Sequence, residues 1–136
     1  MYHSYSSMRR ILINDYHVST AIPVANIRVG YKRNIDVFPC ITIHRIGGDS
    51  YGRLGYQTTT GDSRDRMESD LIQVDIFHDD SIEDLELLDD KVIVAVMSGS
   101  KVDEGYRLMS NPSTYDDSYE CYRTTQTWIL DRLVQD

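Results

Sequence analysis

No stretch of this chain approaches the ~20 consecutive apolar residues that a membrane-spanning helix requires. The first residues, Met1-Tyr-His-Ser-Tyr-Ser-Ser, are polar and aromatic, without the apolar core of a secretory signal. The sequence therefore reads as a soluble protein made and kept in the cytosol, with no membrane partner. Cysteine is scarce: Cys40 and Cys121 stand 81 residues apart, and there is no CxxC pair or Cys/His cluster. That disfavours a zinc site and suits buried thiols in a reducing compartment. Whether the two meet is open; they could if they start neighbouring strands. Lysine is rarer than its charge class suggests, with only Lys32, Lys91 and Lys101. No Gly-rich phosphate loop exists, since Gly47-Gly48 reads as a turn. His3, His17 and His44 have no Ser or Cys in a nucleophile motif beside them, so a catalytic triad has no support. There is no internal repeat, low-complexity tract or linker.

What is present is acid. The net charge is -8. The 22 acidic residues comprise 17 Asp and 5 Glu, and 11 of the 14 basic residues are Arg. An Asp-rich, Lys-poor surface suits a halophilic, high-salt cytoplasm, where repulsion between carboxylates is screened. A merely acidic mesophilic protein would show the same balance. On either reading, general affinity for phosphate backbones is disfavoured, because that takes clustered Lys and Arg. At 136 residues the chain reads as one domain, 1–136, able to bury about two-thirds of its unfolded surface.

The organising stretch is 68–98. Ile72, Val74 and Ile76 alternate with Gln73 and Asp75, the period of a strand with one buried side. Asp79-Asp80-Ser81 offers N-caps, with Glu83 and Asp84 placed as in a capping box. Ile82, Leu85, Leu88, Val92 and Val96 then mark a helix over 81–97, with Gly99 as its stop. Before this unit, 5–14 reads as a short helix capped by Ser6 or Ser7, with Met8, Ile11 and Leu12 inward. Val18, Ala21 and Ile22 tuck in, Pro23 interrupts, and 27–30 is extended. Strands are expected at 40–46 and 53–60, with a turn at Gly47–Ser50 between them and Leu54, Tyr56 and Thr58 sharing a side of the second. The polar 61–67 tip completes a long hairpin to the strand at 69–78. After the helix come a strand at 105–110 and a turn at Asn111–Asp117. A long last strand over 120–130 places Tyr122, Trp128 and Leu130 on one side; a closing helix at 127–135 is the alternative. The order gives an α+β fold: an antiparallel sheet with a long hairpin, packed against a central helix and a short N-terminal helix.

His78-Asp79-Asp80 is the best group of metal-type ligands, since His78 and Asp80 share a face at a strand end. A hard divalent ion needs more oxygens, and carboxylates are usual at the positive end of a helix dipole, so the cap is the favoured reading. Asp62, Asp65 and Asp70 lack calcium-loop spacing. No cofactor is implied. Ten tyrosines fit either a half-buried sheet surface or an interface.

The order of pieces resembles the tail terminator (tail completion) family of long-tailed viruses of bacteria and archaea. The resemblance runs from about residue 8 to 132. It rests on the short N-terminal helix, Val18-Ser-Thr-Ala-Ile-Pro-Val-Ala-Asn-Ile-Arg-Val-Gly30, Phe38-Pro39-Cys-Ile-Thr-Ile-His-Arg-Ile46, the hairpin into Leu71-Ile-Gln-Val-Asp-Ile-Phe77, the helix through Leu88-Asp-Asp-Lys-Val92, and the last strand. A Thr-Thr-Gln-Thr run in that strand departs from it. The resemblance implies a non-enzymatic virion protein, assembled in the host cytoplasm. It would form a ring, usually hexameric, that caps the tail tube and joins it to the neck. Its partners would be copies of itself, the major tail tube protein and a neck or connector protein, with DNA passing the lumen unbound. On this reading the hairpin tip 59–70 and the sheet edges make subunit or tube contacts, with Arg53, Thr59, Arg64, Arg66, Met67, Asp79, Asp80 and Glu83 as the candidate residues and Arg53, Arg64 and Arg66 pairing against the acidic helix 79–90. A neck stopper or head-completion protein is the near alternative. A small metal-dependent hydrolase using His78, Asp79 and Asp80 is the distant one.

Overall fold

The computed structural model describes residues 4–30, 35–53, 66–99 and 104–134. Helix α1 (Ser4–Asn14) leads into α2 (Tyr16–Ala21), a 3-10 turn (Val24–Asn26) and β1 (Ile27–Val29). Two long strands follow, β2 (Cys40–Arg53) and β3 (Arg66–His78), then α3 (Ile82–Gly99). β4 (Glu104–Ser110), β5 (Ser113–Asp116) and β6 (Cys121–Val134) complete the chain. The six strands form one sheet in the order β1-β2-β3-β6-β4, with β5 also on β6. All pairings are antiparallel except β1 with β2.

Alternation in the strands divides the sheet's two faces. Ile41 and Ile43 of β2, Ile72, Val74 and Ile76 of β3, and Trp128 and Leu130 of β6 are fully buried toward the helices. Met8 and Leu12 of α1, Val18 of α2, and Leu85, Leu88, Val92, Ala95 and Val96 of α3 close over them. Each such aliphatic side chain contributes about 1.5–3 kcal/mol of transfer free energy. The other face carries a smaller apolar group, Ile35, Cys40, Phe77 and Cys121, with Val37, Phe38 and Tyr119 against it. Its Phe38–Pro39 peptide is cis.

The α+β architecture, the hairpin and the helix stripe follow the sequence pattern. Three local expectations need correction. Gly47–Ser50 is not a turn: β2 runs through it to Arg53, and the anomaly is a bulge at Ile46, where Arg45 faces Ile72 and Gly47 faces Leu71. Arg53 thus ends β2, and the rest of the expected 53–60 strand, with Leu54, Tyr56 and Thr58, lies outside the described residues. Asn111–Asp117 is not all turn, because Ser113–Asp116 pairs with Thr124–Cys121 as β5; the turn falls at 117–120. Ser6 and Ser7 do not cap α1, which starts at Ser4; Ser7 is buried within it and accepts the Tyr106 hydroxyl at 3.4 Å. Cys40 and Cys121 are buried free thiols, as the sequence suggests; they start β2 and β6, which flank β3 rather than each other.

The Thr-Thr-Gln-Thr run also has its reason. Thr124 and Gln126 point inward and are fully buried, while Thr125 and Thr127 point the other way. Thr124 Oγ1 shares a 2.6 Å hydrogen bond with Ser113 Oγ of β5. Gln126 donates to Asp89 Oδ1 of α3 at 2.6 Å and accepts from the Trp128 indole N–H at 2.8 Å. Asn111 donates to Asp89 Oδ2 at 2.9 Å. The run is a polar clamp between the central helix and the last strand, and each of these buried groups has a partner, as burial demands.

Candidate assembly surfaces

β3 sets the positions of the residues singled out in the sequence. At one end, Arg53 and Arg66 face each other as the last described rung of the hairpin. Met67 follows on β3, opposite Leu133 of β6. Thr59 and Arg64 lie outside the described residues. At the other end, β3 stops at His78 and the chain turns through Asp79 and Asp80 into α3, with Glu83 in its first turn. Twelve residues at ~3.3 Å rise separate the two groups by roughly 40 Å along the strand. Arg53, Arg66 and Met67 therefore lie far from Asp79, Asp80 and Glu83 within one chain.

The strand-to-helix corner is built by capping. Ser81 Oγ accepts the Asp84 N–H at 3.1 Å, and Leu85 N–H reaches the Ser81 carbonyl. Of the candidate caps, Ser81 is the one used. His78 Nδ1 accepts the Asp80 N–H at 3.4 Å and lies 3.5 Å from the Asp79 carboxylate. Ligand-type atoms of His78, Asp80 and Asp84 lie within 4.8 Å of one another. The converging trio thus takes Asp84 in place of Asp79. A hydrogen bond that the protonated Asp80 carboxyl donates to Asp84, and then the charge of Asp84, raise Asp80 above its ordinary 3.8. Asp80 is exposed, and His78 and Asp84 beside it are half-buried at the first turn of α3.

The sheet has two outer edges, and both are interrupted. β1 covers β2 only at Ile41–Ile43. Among the described residues, β2 has no strand partner on that side beyond Ile43. The bulged Ile46 stands 46% exposed on this free length. On the opposite edge, β4 bulges at Met109, 57% exposed, and the edge then breaks at Asn111-Pro112 before β5. Thr125 N–H reaches the Pro112 carbonyl across the break. Bulges and proline at edges discourage indiscriminate strand addition.

The face away from the helices is polar. Asp75, almost fully buried, accepts from Arg123 at 3.3 Å and from Gln73 at 3.0 Å. Arg123 also lies 3.5 Å from Asp116 and stacks over Phe77. Thr42, His44 and Tyr119 join these residues around a hollow of about 90 Å³. Here the sequence pattern marked Asp75 only as a solvent-facing residue. Its burial comes from the 35–39 segment and Tyr119, whose approach has no local signal. On the helix side, Asp89 could have been found, because it falls on the inward stripe beside Leu88 and Val92.

No family model and no curated protein matches the chain. Among solved structures, a chain of one described as "Virion of native gene transfer agent (GTA) particle" has the same fold, with a TM-score of 0.69. The match covers 96% of this chain and 95% of that one at 6% identity. At such identity the likeness, carried by the superposition, shows the fold alone. Among the described residues, no helix is long and apolar enough to cross a membrane.

Proposed function

We propose that this chain is a structural virion protein, acting at the head–tail junction as a tail terminator. Six copies close into a ring that ends the tail tube and joins it to the neck, and DNA passes through the lumen. The observation that carries the reading is the near end-to-end fold match to a virion chain. The charge supports it as well: a net -8 on each subunit gives a lumen wall that does not hold phosphate.

Ring closure takes a heterologous interface, in which one patch meets a different patch of the next subunit. The hairpin end and the helix start suit this role. Arg53 and Arg66 at the one are opposite in charge to Asp79, Asp80 and Glu83 at the other, roughly 40 Å away along β3, so each can serve a different neighbour. Arg53, Thr59, Arg64, Arg66 and Met67 of one copy would meet Asp79, Asp80 and Glu83 of the next. The major tail tube protein and a neck protein are the axial partners, with no cofactor and no reaction. Electron cryomicroscopy of particles carrying this chain tests the role. Six copies in one ring between tube and neck are expected. Density at a ring between the portal and the terminator would make the chain a neck stopper, and absence from the particle would end the proposal.

The metal-dependent hydrolase reading would rest on His78 and Asp80 with Asp84 rather than Asp79. A divalent-cation-dependent hydrolytic activity abolished by Asp80→Ala would favour it over the ring.

A further inference from the structure

The central helix has a second, outward stripe. Glu83, Leu87, Asp90, Val94 and Met97 recur at spacings of four, three, four and three on the side opposite Leu85, Leu88, Val92 and Val96. All five are exposed, and Leu87, Val94 and Met97 remain 58%, 60% and 59% accessible. This is the repeat of a helix that receives another helix along its length. It spans about 21 Å at 1.5 Å per residue. Beside it, Asp15, His17, Asp90, Lys91 and Val94 line a groove of about 240 Å³ between the start of α2 and α3.

Charge selects the occupant. Two of the five stripe positions are acidic, Glu86 flanks them, and Lys91 is the one cation on this face of α3 among the described residues. A second copy pairing α3 on α3 would bring like charges together, which is unfavourable. α1 is the only described helix with arginines, Arg9 and Arg10, but its apolar residues Met8 and Leu12 are already in the core. We infer that the outer stripe of α3 is a docking surface for an amphipathic helix of a different protein, with apolar residues at 3/4 spacing flanked by Lys or Arg. This inference does not rest on the ring reading.

The test uses fluorescence anisotropy with three labelled 18-residue probe peptides. One is a Leu/Lys amphipathic helix, one replaces its Lys with Glu, and one scrambles the Leu/Lys order. The first should bind saturably, and the other two at least tenfold more weakly. Val94→Lys, on an exposed position, should weaken binding at least tenfold while thermal unfolding is unchanged, and methyl NMR shifts should map to Leu87, Val94 and Met97. Equal binding of the scrambled peptide, wild-type binding by Val94→Lys, no binding of any probe, or a homodimer that Val94→Lys abolishes would each overturn the inference.

Discussion

Gln126 and Asp89 show how much one buried polar contact can set. Asp89 takes hydrogen bonds from Gln126 and Asn111, and Gln126 in turn holds the Trp128 indole. Truncating the carboxylate takes from the buried Gln126 amide its 2.6 Å acceptor, leaving it the Asp89 carbonyl at 3.2 Å, while the exposed Asn111 amide turns to water. Asp89→Ala is expected to cost about 3 kcal/mol, seen as a lower urea midpoint at an unchanged m-value. Thiol chemistry gives a second check. Burial, with Asp116 and Asp79 adding to it, pushes Cys121 up to about 11. Since the thiolate is the reactive form, an aromatic disulfide reagent at pH 8 should modify Cys121 only as the protein unfolds. A third check concerns Asp80. Its carboxyl is raised by Asp84, so the folded state holds that proton more tightly than the unfolded chain. The contribution to stability therefore falls as pH rises through the folded value and returns as pH drops. Asp84→Asn should move the Asp80 midpoint, followed by carboxyl NMR, down toward 3.8. Little of this residue-scale detail was legible in the sequence. Thr124–Thr127 looked anomalous because its partners, Ser113 and Asp89, lie 11 and 37 residues away.

Among the elements, those with a long, regular period were readable and those defined by a partner were not. β3 and α3 carry their own burial patterns, so the strand, the helix and the capping corner could be read directly from 68–98. The β-branched Val92-Ile-Val-Ala-Val stretch is helical because its inward positions are held by Met8 and the sheet, which outweighs propensity. β5 exists because β6 extends beyond β4 and offers an unpaired edge, which no local period announces. β2 was split at Gly47-Gly48 because glycine pairs usually mark turns; here they follow a bulge. Two substitutions test the helix. Ser81→Ala removes the cap and should cost about 1 kcal/mol. At Gly99, an added Cβ would lie 2.5 Å from Ile11 Cγ2. Gly99→Ala should therefore fail to give the ~1 kcal/mol helix-propensity gain and instead destabilise the α1–α3 contact. Both are read from thermal or urea unfolding, and a gain in stability for either would contradict the packing described.

At the scale of the whole molecule, an acidic two-layer domain carries its opposed charges at the two ends of one strand. The sequence suggests Arg53, Arg64 and Arg66 against the acidic helix 79–90, and of these Arg66 starts β3 while Glu83 lies beyond its far end, so the two do not pair within one chain. Glu83→Arg or Arg66→Glu alone should therefore prevent ring closure, and the two mixed together should restore rings in which the variants alternate, because the charges then oppose at every junction. Full assembly by either single variant would remove this pairing from the account. The most direct measurement is native mass spectrometry of the chain alone, in molar salt, and on assembled tail tubes. The account predicts a closed species of six 15.7 kDa subunits in at least the tube-bound state. A chain that stays monomeric in all three would contradict it.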